Sequence, residues 1–392
     1  MSFFFGQSKQ RDYLVLDIGK EAVKALILKR QKEEVELLSS ALEYFDDHNV
    51  STINEEEIIG KTISEIFRKP KFKNLPKRLF LGLSPSILKS RIIPIVIRRK
   101  NPRDLIQKKE AGLLFEEALA EARDKIENFV FEEDGILSQD ICFTSSKILE
   151  IKIDGYRVLN LLGLGGRDVS FRVLVVFSLK EPLKKIEKII QPFKFKKIDI
   201  LHPIQGLLKL HLVGAENSVF IDVGGNNTQI SLIKNAKFEQ TGNFEIGGKN
   251  FSEGLAEVLG QGERDGRELK EKYSNGQLSI EVQTRVSEIL AQIKINWYKK
   301  LKDTISKINR TGILPSDFYL FGGGAKLSEI QRVLEEESWQ GVNFSRNVRV
   351  HIFSLKDFYH YLHLKVKDLP SSILTNSQYI PSFLIFYARE NF

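Results

Sequence analysis

Two short segments of the sequence carry an aspartate and then glycine directly after an apolar run. Asp17-Ile18-Gly19 follows residues 14–16, and Asp222-Val223-Gly224-Gly225 follows residues 219–221. A turn without Cβ bulk can approach a phosphate and aim backbone N–H groups at it, while the aspartate can hold Mg²⁺ through water. One such turn also fits an ordinary β-hairpin. Two of them, roughly 200 residues apart, indicate two similar half-domains that hold phosphates between them.

Two more glycine segments belong to this set. Gly322-Gly323-Gly324 stands at a predicted strand-to-helix junction, where a flat base or ribose can lie on the backbone, and Gly247-Gly248 precedes a predicted helix. The chain contains no P-loop pattern, and residues 163–166 do not fit the dinucleotide fingerprint. The sequence therefore predicts a nucleotide site of neither the P-loop nor the Rossmann kind.

The elements around these turns repeat. Strand, turn and strand are predicted over residues 14–28 and again over residues 218–233, which indicates an internal duplication. Apolar residues at three- and four-residue steps predict a helix over 283–306. Between the repeats lies a small α+β unit, in which Asn101-Pro102 predicts the start of a helix that runs to about residue 128. The expected domains are listed in chain order: 10–78 and 181–215 (first domain), 79–180 (insertion) and 216–392 (second domain).

Composition bounds the function. The chain has 392 residues, 42% apolar and 28% charged, which is typical of a globular protein of two or three domains. Cys142 is the only cysteine, so a disulfide framework is excluded and a reducing compartment is expected. The first residues show no signal-peptide pattern, and the longest apolar stretch is about half of the ~20 residues of a spanning helix. We therefore expect a cytoplasmic protein that does not cross a membrane.

The formal net charge of +8 favours contact with anionic surfaces such as lipid, nucleic acid or acidic tails of partner proteins. Two basic clusters, at residues 68–73 and 194–197, lack the frame of any common nucleic-acid-binding motif. A solvated basic surface explains them better, so nucleic acid is not expected as a partner.

With these motifs in this order, the chain resembles the actin-like ATPase superfamily. The resemblance implies an α/β fold of two duplicated ribonuclease-H-like domains, with ATP and Mg²⁺ as cofactors. Residues 17–19 look like the first phosphate loop, 222–228 like the second and 322–325 like the adenosine loop, while 267–270 resemble the adenosine-side helix. The implied nucleotide-binding residues are Asp17, Gly19, Lys20, Asp222, Gly224, Gly225, Asn227, Thr228, Gly247, Gly248, Lys270, Gly322, Gly323 and Gly324. Asp17 and Asp222 would hold Mg²⁺ through water, and no catalytic residue is assigned.

Within the superfamily, the insertion is similar to the α+β subdomain of FtsA through residues 151–158 and 163–167. Residues 244–248, just after the second phosphate loop, also resemble FtsA. FtsA implies a scaffold of bacterial cell division at the inner face of the cytoplasmic membrane, with a tubulin-like partner and self-association. Phe4-Phe5-Gly6 and Val23-Lys24 resemble PilM instead, which implies type IV pilus assembly with inner-membrane pilus proteins as partners. The FtsA assignment is favoured, and PilM is the alternative.

Two other functions of this superfamily are weighed against a scaffold. A sugar or acetate kinase needs a general base in a substrate pocket, and residues 79–180 offer no evident candidate carboxylate. A DnaK-like chaperone needs a peptide-binding domain, for which the roughly 70 residues after the adenosine loop leave no room. Both are therefore less favoured than a scaffold.

Several positions depart from the superfamily pattern. Lys20 replaces the usual Ser or Thr, Arg267 replaces a Glu, and Asn226, Asn227 and Gln229 stand where Gly, Thr and Asp are common. Phosphoryl transfer depends on positioned groups and an in-line water. We therefore expect at most a weak ATPase, in which Lys20 adds a cation beside the phosphates.

Attachment to the membrane is expected to be indirect. Residues 381–392 read as the last core helix of the second domain and not as a basic amphipathic tether. Residues 3–5, with Lys9 and Arg11, would give only marginal lipid attachment. The sequence thus predicts a peripheral protein that is recruited by a membrane protein or its acidic tail.

Overall fold

The structure, a computed structural model, describes residues 11–31, 34–45, 54–210, 212–309, 312–336, 339–361, 365–367 and 369–389. The aromatic triplet at residues 3–5 lies outside this part of the chain. Contacts divide the molecule into two compact units, Met1–Ser84 with Lys188–Phe392, and Pro85–Glu187. The second unit begins later and ends later than the insertion expected at 79–180.

The described residues form strands and helices whose bounds follow in chain order. The strands are β1 Arg11–Ile18, β2 Ala22–Gln31, β3 Glu34–Tyr44, β4 Arg78–Leu83, β5 Leu88–Arg98, β6 Ile141–Ile153, β7 Tyr156–Val158, β8 Asp168–Leu179, β9 Lys197–Ile200, β10 Ser218–Val223, β11 Thr228–Lys234, β12 Lys237–Phe244, β13 Ile313–Leu314, β14 Asp317–Phe321, β15 Asn343–Phe344, β16 Arg349–Ile352 and β17 Lys365–Lys367. The helices are α1 Glu55–Arg68, α2 Lys108–Asp134, α3 Lys180–Ile190, α4 Pro203–Leu207, α5 Gly248–Leu259, α6 Glu263–Ser274, α7 Ile280–Ile308, α8 Ser328–Glu336, α9 Leu355–His360, α10 Ser371–Leu374 and α11 Ile380–Arg389. None of these helices is long and apolar enough to cross a membrane.

The larger unit contains two sheets of the same design. Their strand orders are β17-β3-β2-β1-β4-β9 and β12-β11-β10-β14-β16. In each, the central strand (β1 or β10) pairs antiparallel with the next strand of the chain and parallel with a later one. Residues 14–16 and 219–221 are buried on both faces of their strands, as expected of central strands. The repeated strand order confirms the predicted duplication.

Helix α7 covers the second sheet, as its spacing predicts. Val286, Leu290, Trp297, Leu301 and Ile305 are all buried. The helix begins at Ile280 because the Ser279 side chain accepts a hydrogen bond from the N–H of Val282, which satisfies one of its free donors.

The C-terminal segment returns to the first sheet. Strand β17 pairs with β3, and α11 packs on α4, β1 and β4. A Cβ at Gly206 in α4 would overlap the backbone of Leu384, and one at Gly82 would overlap Ile385. Helix α11 is therefore a core helix, as expected, but it covers the first sheet. The expected second domain, 216–392, included this segment, whereas the structure packs it on the first sheet.

The unit Pro85–Glu187 has the expected α+β architecture. Its antiparallel sheet has the order β5-β8-β6-β7, and α2 packs across it through residues such as Leu114, Ala118 and Ile126. Helix α2 begins at Lys108, so the start predicted at Asn101-Pro102 is wrong. The reason is Arg99, whose buried guanidinium holds the following residues as a loop.

Candidate functional site

The second glycine turn lies directly against the start of α5. Gly224 and Gly225 accept hydrogen bonds through their carbonyl oxygens from the N–H groups of Gly248 and Lys249, both at 2.8 Å. A Cβ at Gly247 would overlap both of these carbonyl oxygens. The close approach of two backbones explains why glycine occupies this position.

The segment Gly322–Gly324 joins the same cluster. The N–H of Gly324 donates to the carbonyl of Val223 at 2.8 Å. Gly322 has φ +91°, and a Cβ there would overlap Oδ1 of Asp222. Gly323 is exposed, and a Cβ there would meet no atom within 4 Å. Gly322 and Gly324 thus shape the backbone, whereas Gly323 presents an open surface.

Asp17 and Asp222 lie near the carboxyl ends of the two central strands. Oδ2 of Asp17 is 3.1 Å from Nζ of Lys24 and accepts from the Ser382 hydroxyl at 3.1 Å. In the described residues, the Asp222 carboxylate has no hydrogen-bond partner. Burial raises the pKa of Asp222 to about 7. The positive charge of Lys24 lowers this pKa, and the negative charge of Asp17 raises it further. The structure therefore brings the two predicted aspartates into one electrostatic site.

The second loop also holds two unsatisfied amides. The side-chain Oδ1 atoms of Asn226 and Asn227 are buried, and neither has a hydrogen-bond partner within the described ranges. A buried amide without a partner is costly. Since the two ends of an asparagine amide are interchangeable by rotation, each can offer either an oxygen or an NH₂ group to a ligand.

Two predicted site residues have side chains that are engaged elsewhere. The buried Thr228 hydroxyl donates to the carbonyl of Ile246 at 2.7 Å and accepts from Nε1 of Trp297 at 2.9 Å. Lys20 pairs with Glu55 of α1, with 2.8 Å between Nζ and Oε1. Gly19 closes the first turn, where its N–H donates to Ala22.

Lys270 lies in the site as a structural cation. Its buried Nζ donates to the carbonyl of Gly248 at 2.7 Å and is 4.0 Å from Oε1 of Glu21. Burial lowers the pKa of Lys270, and the charge of Glu21 opposes this. Glu21 comes from the first half and Lys270 from the second, so this contact bridges the two halves of the larger unit.

A second bridge lies beside the first. The guanidinium of Arg267 in α6 stacks over the ring of Tyr44 in β3, 4.5 Å from its centroid. Burial, followed by the charge of Glu271 in α6, raises the pKa of Tyr44. Residues of the predicted adenosine-side helix thus contact the first half directly.

Lys24, Glu21 and Ser382 were not predicted as site residues. Lys24 stands opposite Asp17 in the β1–β2 register, and a hairpin alignment of residues 14–28 would have found it. Glu21 follows the first glycine turn, but its contact with Lys270 depends on the packing of the two halves. Ser382 is far from the motifs in sequence, so no local pattern points to it.

Comparisons with known proteins give a fold and no sequence family. No protein-family model matches the chain, and no curated protein matches it. Among solved structures, a chain of the "PilM-PilN type IV pilus biogenesis complex" is 17% identical and superposes with a TM-score of 0.69, over 97% of this chain and 99% of that chain. The ethanolamine utilization protein EutJ from Carboxydothermus hydrogenoformans is 10% identical, with a TM-score of 0.43 over 97% and 90% of the two chains. A Bacteroides thetaiotaomicron protein described as having an actin-like ATPase fold is 10% identical, with a TM-score of 0.41 over 90% and 94%. The chain has the actin-like ATPase fold, as the motifs predict.

Proposed function

We propose that the chain is an ATP-binding actin-like scaffold of the PilM type, acting in type IV pilus assembly at the inner face of the cytoplasmic membrane. The observation that carries this proposal is the superposition with the PilM-PilN complex, which extends over nearly the whole of both chains. Recruitment by an inner-membrane pilus protein follows from the same likeness. An FtsA-type role in cell division, with a tubulin-like partner and self-association, is the second candidate and rests on the sequence of the inserted unit.

The site supports ATP with Mg²⁺ as the ligand. The glycine cluster leaves backbone and the open surface of Gly323 where a nucleotide would lie, and the amides of Asn226 and Asn227 have unused hydrogen-bonding capacity. No group of three or more His, Cys, Asp or Glu side chains that could hold a metal occurs among the described residues. Asp17 and Asp222 would thus supply only part of a Mg²⁺ shell, with water and phosphate oxygens completing it.

We further propose that hydrolysis is slow. Lys20 is paired with Glu55 and Thr228 is bonded into the core, so neither is free to orient an attacking water. Bound ATP would then act as a structural ligand that joins the two halves. A steady-state turnover above about one per second, within the usual enzyme range, would refute this part and favour a kinase.

Calorimetric titration of the full chain with ATP and Mg²⁺ at pH 8 tests the site. We expect Asp222→Ala and Asn227→Ala to weaken binding at least tenfold. Asp124→Ala, on an exposed position of α2 in the other unit, is the matched control and should bind as the wild type does. Equal affinity of wild type and Asp222→Ala would show that the site is wrongly assigned.

Deletion of the gene in its host distinguishes the two scaffold roles. Loss of surface pili in cells of normal length supports the PilM-type role. Filamentous cells with normal pili would contradict the PilM-type role and support the FtsA-type role.

A further inference from the structure

Two loops lie side by side at one end of the unit Pro85–Glu187. They comprise residues 99–107 and 159–167, and we call them the paired loops. Backbone hydrogen bonds join them: Ile106 N–H to Leu164 O (2.8 Å), Gly163 N–H to Ile106 O (3.0 Å) and Gly166 N–H to Pro102 O (2.9 Å). The two loops therefore form one continuous surface.

The side chain of Arg99 fixes this surface from inside. Its buried guanidinium donates to both carboxylate oxygens of Glu110, at 2.7 and 3.0 Å, and to the carbonyls of Asp104 and Gly166, both at 2.9 Å. Asp154 accepts from the N–H of Asp168 at the same end. The loop backbone that carries the outward side chains is therefore ordered before any partner binds, which lowers the entropic cost of binding.

Large apolar side chains protrude from this end. Leu159 is 93% exposed, and four others are also exposed: Leu105 57%, Tyr156 79%, Leu162 52% and Leu164 37%. Single exposed apolar residues are normal, but a group at one end of a unit marks an interaction surface. The two most exposed, Leu159 just after β7 and Tyr156 within it, contact few neighbouring atoms and project singly.

Basic side chains surround the apolar group. Residues 98–110 contain six basic and two acidic residues. Lys100, Arg103, Lys108 and Arg167 are exposed, and within the described part of the chain none of these four forms an ion pair. Of the nearby carboxylates, Glu110 is bonded to Arg99 and Asp154 to backbone N–H groups. The exposed Asp104 and the Asp154 carboxylate beside Arg167 offset part of this charge. The surface thus combines exposed apolar side chains with an excess of positive over negative charge.

We propose that the paired loops dock on the surface of a bilayer that contains anionic lipid. Leucine tips can insert between lipid headgroups, tyrosine favours the interface, and Lys and Arg contact lipid phosphates while their stems lie along apolar surface. A folded protein partner would need a complementary pocket for each protruding side chain, whereas a lipid interface accepts separate tips without one. This contact adds to recruitment by a protein partner and is independent of the nucleotide site.

Flotation of the full chain with vesicles tests the proposal. We expect the protein to float with vesicles of equal parts phosphatidylglycerol and phosphatidylcholine at low ionic strength. Flotation should be lost in about 0.5 M salt, because salt screens the attraction between basic side chains and anionic lipid. Vesicles of phosphatidylcholine alone should not float the protein. Leu159→Ser with Leu162→Ser, and Lys100→Glu with Arg103→Glu, should each reduce the floated fraction at least fivefold. Leu137→Ser is the matched control, since Leu137 is 50% exposed and follows the far end of the 27-residue helix α2.

The outcomes separate the possible occupants. No flotation of the wild type with anionic vesicles, or equal flotation of wild type and both double variants, would overturn the proposal. If the wild type is a dimer and the double variant Leu159→Ser with Leu162→Ser is a monomer, the surface binds a second copy of this chain and the lipid proposal is wrong. Unchanged melting temperatures and ATP titrations of the variants would show that only this surface was altered, so its failure would leave the proposed function intact.

Discussion

Asp17 and Asp222 occupy corresponding places in two repeated sheets, yet their surroundings differ. Asp17 is paired with Lys24 and hydrogen-bonded by Ser382, while the half-buried Asp222 has a raised pKa, owing first to desolvation and also to the charge of Asp17. Two carboxylates in one site rarely ionise together without a cation. Without a ligand, Asp222 therefore keeps a proton up to about pH 7.

We predict that the contribution of Asp222 to the stability of the ligand-free protein falls as the pH rises through about 4 to 7, whereas buried His202, whose pKa is lowered to about 3, contributes a change of the opposite sign. Because the folded pKa of Asp222 is about 7, above its ordinary value, the folded state binds more protons than the unfolded state in this range, and unfolding becomes easier as the pH increases. Relative to Asp222→Asn, the wild type should therefore lose stability as the pH rises through this range. Thermal melting of both proteins at pH 5, 6, 7 and 8 measures it, and parallel pH profiles would contradict the prediction.

Two adjacent glycines of the segment Gly322–Gly324 should respond differently to one added methyl group. Gly322→Ala places a side chain at φ +91° and against Asp222, so we expect a loss of about 2 kcal/mol or more of unfolding free energy. Gly323→Ala meets open space, and its stability should stay within about 0.5 kcal/mol of wild type while ATP binding weakens. Urea unfolding and calorimetry measure the two effects. Equal destabilisation by both substitutions would contradict this account of the turn.

Elements that follow from local patterns were predictable, and those that depend on distant contacts were not. The apolar spacing of α7 correctly predicted which face of the helix is buried, because α7 packs that face on the second sheet, which belongs to the same half of the chain. The start of α2 was misplaced because the buried Arg99 overrides the Asn101-Pro102 signal by holding residues 99–107 as a loop. The sequence of α11 indicated a core helix, but nothing local indicates that it covers the first sheet. Among the site residues, the glycines and aspartates were found, whereas Glu21 and Ser382 act across long sequence separations.

The contact between α4 and α11 gives a matched pair of predictions at the element scale. Gly206→Ala would force the backbones of the two helices apart, and we expect it to cost about 2 kcal/mol or more. Gly112→Ala, on an exposed helical position with no atom within 4 Å of the new Cβ, should stabilise the protein by about 0.5–1 kcal/mol. Chemical denaturation of both variants measures this. A neutral Gly206→Ala would mean that α11 does not pack as described.

The two halves of the larger unit meet through side chains as well as through the proposed ligand. Glu21 with Lys270 and Tyr44 with Arg267 both span the halves. The first of these pairs joins a buried ammonium to a carboxylate 4.0 Å away, which contributes modestly to stability. A ligand that contacts glycine turns in both halves would add to these contacts and hold the halves together more firmly.

ATP with Mg²⁺ should accordingly protect both halves at once. We predict slower amide hydrogen exchange at residues 17–21 in the first half and at residues 224–225 and 247–249 in the second, with the same dependence on ATP concentration, because one ligand orders both turns. The paired loops of the other unit serve as an internal control and should exchange unchanged. Asp222→Ala should lose the protection in both halves together. Protection confined to one half would mean that the nucleotide binds one repeat alone, and contacts such as Glu21–Lys270 and Tyr44–Arg267 would then join the halves without help from the ligand.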